Sequence, residues 1–290
     1  MDAPSRLPLT VIIPAAHPWP AVAATLDSLL PQIARVGGEV IVVSGFPGAV
    51  PTPPPADVQP LVLASRDAFI LRLEAMRLSR GEIVAIGEDH VLYCDDWAEQ
   101  LLRAFAEQPD AAGFMGSVSN GKTGSLDRAS FWVTLAPWSA PMASLSLDRT
   151  PVPGNLAVRR SLIAELGAPG EFEYDVVPRL LAAGKLRGND RQRVVHDQSL
   201  GRVGSWVVHF ASGRAYGAAA GRGGRWRRLR EAVRAPGVIL EQTRAAWREP
   251  GRSDDTLVCQ ALIAALGVTN GLGQIAGIFF GAGESGSRIV

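Results

Sequence analysis

The sequence predicts an α/β fold whose sheet begins parallel, on three observations. Two short β-branched runs, Leu9 to Ile13 and Glu39 to Val43, flank a segment whose apolar residues recur at helical spacing. A later run, Glu82 to Ile86, leads straight into the acidic segment Gly87-Glu88-Asp89-His90. Apolar residues make up 47% of the 290, enough to bury a large core as one domain, or one domain with an appendage, and to exclude disorder for most of the chain. The formal net charge of +1 gives no global reason to expect nucleic acid as a partner. Cys94 and Cys259 lie far apart without metal-ligand spacing, which suits a reducing compartment. The first apolar run meets Pro14 too soon for the core of a secretory signal, so a cytoplasmic location is expected.

Leu9 to Ile13 and Glu39 to Val43 read as buried strands, the first ended by Pro14 and the second by Ser44-Gly45. Between them, Val22, Leu26, Leu29, Leu30 and Ile33 mark a helix over 21–36, and strand, helix, strand is how a parallel sheet starts. Val50 to Pro60 holds five prolines and reads as a surface connection, with a third short strand at Leu61 to Leu63. A helix over 67–79 leads to the strand Glu82 to Ile86, another is expected at 97–107, and a strand at 111–115. The stretch 116–153, rich in Ser, Gly and Pro, reads as irregular. Short helices are expected at 159–166 and 176–183, and a strand at Arg193 to Val195 just before His196. Composition shifts near residue 200, which sets expected domains of 1–200 and 201–290.

Ligands of open α/β sheets gather beyond the carboxyl ends of strands, which is where Glu88-Asp89-His90 falls. An acidic turn at a strand end is also an ordinary solvated feature, so the triplet alone does not specify chemistry. Hard oxygen donors and imidazoles converging from several places would specify a divalent metal. Glu88, His90 and the distant His196 are the candidates. A rival signal is Gly116-Ser-Val-Ser-Asn-Gly-Lys-Thr123, which matches the phosphate-loop pattern G-x-x-x-x-G-K-[ST] letter for letter. Against it, the preceding strand is short and no later apolar strand ends in an obvious metal-binding Asp. Neither early strand is followed by G-x-G-x-x-G, which excludes a dinucleotide fingerprint.

The ordered set of Leu9 to Ala15 (LTVIIPA), IVVS ending at Ser44, Arg72 to Ile83, the acidic triplet, Trp97, Gly154-Asn155-Leu156-Ala157-Val158-Arg159-Arg160, Glu171-Phe172-Glu173, Arg179-Leu180 with Gly184, and His196 resembles family 2 glycosyltransferases over about residues 8 to 200. The resemblance implies a GT-A fold, a mixed, mostly parallel sheet with helices on both faces, and an inverting transfer from a nucleotide-diphospho-sugar. It implies donor contacts at Pro14, Ala15, Ser44, Arg72, Glu88, Asp89 and Asn155. A divalent metal, magnesium or manganese, would sit on Glu88, His90 and His196. Glu173 falls at the place of the general base, with Glu171 and Asp175 as neighbouring alternatives. Two departures stand out: Glu88 and His90 replace the outer aspartates of the family's DxD triplet, and Ser44 stands where the family usually has an aspartate. A rival in another class is a membrane-docked sugar-nucleotide binder without turnover.

The last quarter has its own character. Arg214, Arg222, Arg225, Arg227, Arg228, Arg230 and Arg234 surround Trp226, and Thr256 to Gly283 contains no charged residue. Basic residues beside an apolar segment suit an anionic cytoplasmic leaflet, and a solvated basic helix is the plainer alternative. The uncharged stretch is long enough to span a bilayer. Its six glycines and its Gln260, Thr269, Asn270 and Gln274 argue equally for a broken hairpin or an interfacial helix. Gly273, Gly277 and Gly281 stand at the spacing that allows close helix contact. The resemblance implies a nucleotide-sugar donor and a glycan or lipid-linked acceptor, and the basic and uncharged segments add a membrane surface to the expected partners.

Overall fold

The computed structural model describes residues 7–139, 153–164, 166–248 and 257–289. Strand β1 (Leu7–Ala15), helix α1 (Ala23–Val36) and strand β2 (Glu39–Ser44) form the opening unit. Helix α1 stops where Gly37 takes a left-handed conformation (φ 70°), and its N–H returns to Ile33 O. Every residue of β2 is buried, as a strand covered on both faces requires. Strand β3 (Val58–Val62) begins earlier than the sequence suggests and includes Pro60. The sheet order places β3 at the edge, where a residue lacking an N–H is tolerated. Helix α2 (Ala68–Leu78) is capped by Asp67, whose carboxylate accepts hydrogen bonds from the N–H groups of Phe69 and Ile70.

Strands β4 (Gly81–Ile86) and β5 (Val91–Tyr93), helix α3 (Trp97–Glu107) and strand β6 (Gly113–Asn120) follow, then helix α4 (Ser125–Leu135). Strand β7 (Leu156–Arg159), a π turn at Phe172–Val176, helix α5 (Val177–Ala182) and strand β8 (Leu186–His196) complete the sheet, in the order β3-β2-β1-β4-β7-β6-β8-β5. Strands β3, β2, β1 and β4 run parallel, while β7 pairs antiparallel with both β4 and β6, and β5 with β8. This is a mixed sheet with a parallel half, and Leu9, Ile12, Ile41, Ile86, Leu101 and Phe114 are among the side chains fully buried around it. The expected helix over 159–166 is a single 3-10 turn at Arg160–Leu162, and Glu165 lies outside the described residues. Of the expected irregular stretch 116–153, residues 116–120 belong to β6 and 125–135 to α4, and 140–152 lie outside the described residues.

Helices α6 (Gly201–Ala220), α7 (Arg225–Arg248) and α8 (Leu257–Phe280) end the chain, with a 3-10 turn at Ser285–Arg288. The chain divides into two compact units, Met1–Ser119 with Trp138–Asp197 and Asn120–Pro137 with Gln198–Val290. The second unit thus takes in α4, which packs on α6 and α8. Within that unit, α6 and α8 meet through glycines. A Cβ on Gly213 or Gly217 would come within 1.9 or 2.0 Å of the carbonyl oxygens of Asn270 and Gln274. One on Gly273 or Gly277 would come within 2.1 or 2.0 Å of those of Phe210 and Arg214. Three polar residues of α8 find partners: Asn270 donates across to His209 O of α6, and within α8 Gln274 donates to Asn270 Oδ1 and Thr269 to Ala265 O. Gly273 and Gly277 of the spaced set therefore serve contact within the chain, and a matching pair, Gly213 and Gly217, stands on α6 with Gly221 just past its end, whereas Gly281 lies beyond α8 with nothing within 4 Å of a would-be Cβ.

Candidate metal centre

Register builds this site. Parallel pairing sets Ala15 beside Ser44 and Ile12 beside Ile86, so the carboxyl ends of β1, β2 and β4 lie together. Glu88, Asp89 and His90 follow β4 directly. Antiparallel pairing of β7 sets Leu156 against Ile86, which brings Gly154 beside Glu88. Pairing of β5 with β8 sets Val91 against His196, and Asp197 N–H donates to His90 O at 2.8 Å.

The two histidines meet edge to face, with ring centroids 4.7 Å apart. His90 Nε2 lies 3.1 Å from His196 Nε2 and 3.2 Å from Glu88 Oε2, and His196 Nε2 lies 3.6 Å from the same oxygen. One carboxylate oxygen and two imidazole nitrogens, all within 4.8 Å of one another, are a donor set that suits a divalent cation. The three side chains keep 14 to 15% of their surface exposed, so the cluster is reachable. Burial opposes charge on Glu88, but the hydrogen bond and charge of His90 prevail and hold its carboxyl well below the usual range. Burial opposes charge on His90, but Asp89 and Glu88 prevail and raise it to about 9, so that a cation binding there would displace its proton, whereas burial lowers His196 to about 4 and keeps it neutral, ready to ligate.

Asp89 is the orienting group. Its Oδ1 lies 2.8 Å from His90 Nδ1, which turns Nε2 toward Glu88 and His196. Its Oδ2 accepts from the N–H of Ala16 at 2.8 Å and lies 3.3 Å from His17 Nδ1, while Thr25 donates to its carbonyl. A carboxylate 2% exposed with those partners is held inside the protein, a different position from the donor contact expected of Asp89. Asn155 departs further. Its Oδ1 accepts from Trp97 Nε1 and Gln192 Nε2, and its Nδ2 donates to the carbonyls of Ser117 and Gln192. An amide has two donors and two acceptor positions, so no side-chain atom of Asn155 remains for the expected donor contact, and its role is to bolt β6, β7, β8 and α3 together. Gly154, its neighbour, leaves room for the site: a Cβ there would come within 2.7 Å of the Glu88 carboxylate.

Pro14, Ala15 and Ser44 are buried at strand ends, and Ser44 Oγ donates to Phe46 O at 2.6 Å. Arg72 and Glu173, the expected donor contact and base, face each other at 3.5 Å, each 5% exposed. Burial raises the Glu173 carboxyl above its usual range, and Arg72 only partly offsets this. Arg72 also bears electrostatically on Glu88, and its Nε is buried without a protein partner. Tyr93 Oη, likewise buried without a partner, feels the Glu88 charge as well. Two orphaned polar atoms around one anionic cluster fit a site built for a polar ligand. Glu171 is elsewhere engaged, accepting from the N–H groups of Gly167 and Ala168, and Asp175 is exposed.

The sequence did not point to Ala16 or His17 as parts of this arrangement, and it marked Gly154 only as the first residue of a motif, without a role. His17, two residues past the end of β1, offered a signal by position. The phosphate-loop match dissolves: Gly116 to Asn120 are extended in β6, and a Cβ on Gly116 would strike Asn155 Nδ2 and Gln192 O, so this glycine serves sheet packing rather than a phosphate cradle.

No protein-family model matches the sequence, and no curated protein matches it. Solved structures do. The mannosyltransferase PcManGT from Pyrobaculum calidifontis, in complex with GDP-Man and Mn2+, is similar at a TM-score of 0.54 with 18% identity, over 94% of this chain and 88% of that one. S. aureus TarS 1-349 in complex with UDP-GlcNAc is similar at a TM-score of 0.52 with 13% identity, over 89% of this chain and 79% of that one. At these identities the likeness speaks for architecture, and this chain has the GT-A-type fold of those glycosyltransferases.

Proposed function

We propose that the chain is an inverting glycosyltransferase that moves a sugar from a nucleotide-diphospho-sugar to a glycan or lipid-linked acceptor at the inner face of the cell membrane. The observation that carries this reading is the convergence of Glu88, His90 and His196 beyond the strand ends, in a fold shared with proteins solved with GDP-Man and Mn2+ or with UDP-GlcNAc. A magnesium or manganese ion held by these three side chains would neutralise the leaving diphosphate. The backbone at Pro14 and Ala15 and the hydroxyl of Ser44 line the nucleoside end, where Ser44 Oγ can accept one hydrogen bond. Arg72 adds fixed positive charge beside Glu88. Asp89 holds the His90 ring in place. Glu173 takes the acceptor's proton as the acceptor oxygen bonds to the anomeric carbon and the bond from that carbon to the diphosphate breaks, which inverts the centre and releases a nucleoside diphosphate. Burial raises the Glu173 pKa, which makes its carboxylate a stronger base for the acceptor's proton at a pH where it is ionised. For the membrane, the arginines around Trp226 and the uncharged α8, long and apolar enough to cross a bilayer by length and composition, support the reading.

The test is a panel of nucleotide-sugars scored by thermal unfolding with and without chelator. One sugar class should raise the midpoint only when magnesium or manganese is present, and nucleoside diphosphate should then appear on turnover or slow hydrolysis. Protection by none of the panel would overturn the reading. Protection without any release would favour a sugar-nucleotide-binding protein, for which Ser44 at the nucleoside position is the supporting feature.

A further inference from the structure

In the second unit, the outer face of α6 and the 3-10 turn at Ser285–Arg288 enclose a cleft of about 540 Å3, within the range of small-molecule sites. Its two ends differ in chemistry. Trp206, Val207 and Phe210 form an apolar wall on α6, and each leaves 37% of its surface exposed. Arg214, one turn beyond Phe210, and Arg288 form a cationic end that also includes Glu284. Arg214 is fixed there. Its Nε donates to Gly281 O at 2.8 Å, and a Cβ on Gly283 would come within 2.7 Å of its guanidinium, so the guanidinium lies against a turn that only small residues permit. Gly281 and Gly283 both have positive φ, 75° and 54°, which shapes that turn. Glu284 pairs with Arg288 at 3.6 Å on a well-exposed edge, leaving two guanidinium groups to one carboxylate at that end. The stripe Val203, Val207, Phe210 and Arg214 follows i, i+4, i+7 and i+11, so the apolar wall and the cation lie along one line of the helix.

We propose that this cleft binds a single anionic amphiphile, a phosphate monoester carrying a hydrocarbon chain, with the phosphate on Arg214 and Arg288 and the first carbons of the chain against Trp206, Val207 and Phe210. Guanidinium groups suit phosphate because their planar fork matches its oxygens. An apolar wall leading away from them suits the tail and would be wasted on inorganic phosphate. The cleft is lined by residues of the second unit and the metal centre by residues of the first, and the inference does not rest on sugar transfer. It rests on the membrane reading only for the source of such a ligand.

The probe is dodecyl phosphate below its micelle concentration, titrated into the full chain by calorimetry, with inorganic phosphate and dodecyltrimethylammonium as the head-only and opposite-charge arms. Saturable one-to-one binding of dodecyl phosphate is expected, with at least tenfold weaker binding of both other probes. Arg288→Gln should weaken it about fivefold or more with an unchanged unfolding midpoint, and Phe210→Ser to a similar extent at temperatures well below its own, lower midpoint, with binding to anionic vesicles unchanged in both. Because vesicle binding is read separately, failure of this cleft is distinguishable from failure of membrane association. Equal affinity in both variants, or for the cationic amphiphile, would overturn the proposal, and inorganic phosphate binding as tightly as the amphiphile would reduce the cleft to an anion site and overturn it too.

Discussion

Three carboxylates fall within five residues around the π turn, and the backbone sends them different ways. Glu171 turns back to two N–H groups, Asp175 faces outward, and Glu173 points inward to Arg72. Replacing Glu173 with Gln keeps its size and much of its hydrogen bonding but removes its capacity to take a proton. Donor binding should persist while turnover falls roughly 100-fold or more. The rate profile of the parent should also lose activity as pH falls through the raised Glu173 pKa, since the base is then protonated, and that acidic limb should vanish in the variant. Near-normal transfer by Glu173→Gln would move the base to another group. Gly154 gives a test of a different kind: Gly154→Ala would place a methyl group against the Glu88 carboxylate. Manganese affinity measured by titration should fall several-fold while the unfolding midpoint of the metal-free protein changes little; unchanged affinity would show that the Glu88 carboxylate does not need that space.

Among the elements, the glycine contact of α6 with α8 carries the clearest expectation. Gly217→Ala or Gly277→Ala must push backbone off backbone, and overpacking of this kind costs about 1–3 kcal/mol. Gly237, inside α7 with open space around a would-be Cβ, is the matched control. Thermal unfolding should show lower midpoints for the first two variants and no comparable loss for Gly237→Ala; a similar loss in all three would mean that proximity is not what matters. Elements with one clean pattern were readable in the sequence. The β1, α1, β2 unit and α3 announce themselves, the strands as continuous apolar runs buried on both faces and the helices by buried residues at a spacing of 3.6. Strand β8 did not, because eight of its eleven residues, LRGNDRQR, are mostly polar and half exposed, leaving only the Val194-Val195 end to look like a strand. Helix α6 was hidden by glycines that lower helix propensity, although their four-residue spacing was itself the signal. At the site, Glu88, His90 and His196 were visible as side-chain chemistry. The Asp89 contact with a backbone N–H and the space left by Gly154 were not, since neither is written in a side chain.

At the scale of the whole molecule, the second unit presents a line of exposed apolar side chains on α8, Leu257, Val268, Leu272 and Phe279, on the side away from its glycines, and the arginine-rich α7 precedes it in the chain. Full-length protein should float with anionic vesicles, and Val268→Asp with Leu272→Asp should release it without changing nucleotide-sugar protection. Flotation unaffected by that pair of charges would remove α8 from the membrane contact. The first unit has a different consequence at this scale. His90 and His196 stand 106 positions apart in the chain and touch only through the pairing of the shortest strand with the last one. Closing so long a loop carries an entropic cost that nearby contacts do not, and pairings of high sequence separation form late and slowly. The pair of imidazoles therefore exists only where β5 and β8 are paired, so that a chain in which this pairing has not formed lacks the two-histidine site, and the capacity to bind there reports that the most distant strands of the first unit have met.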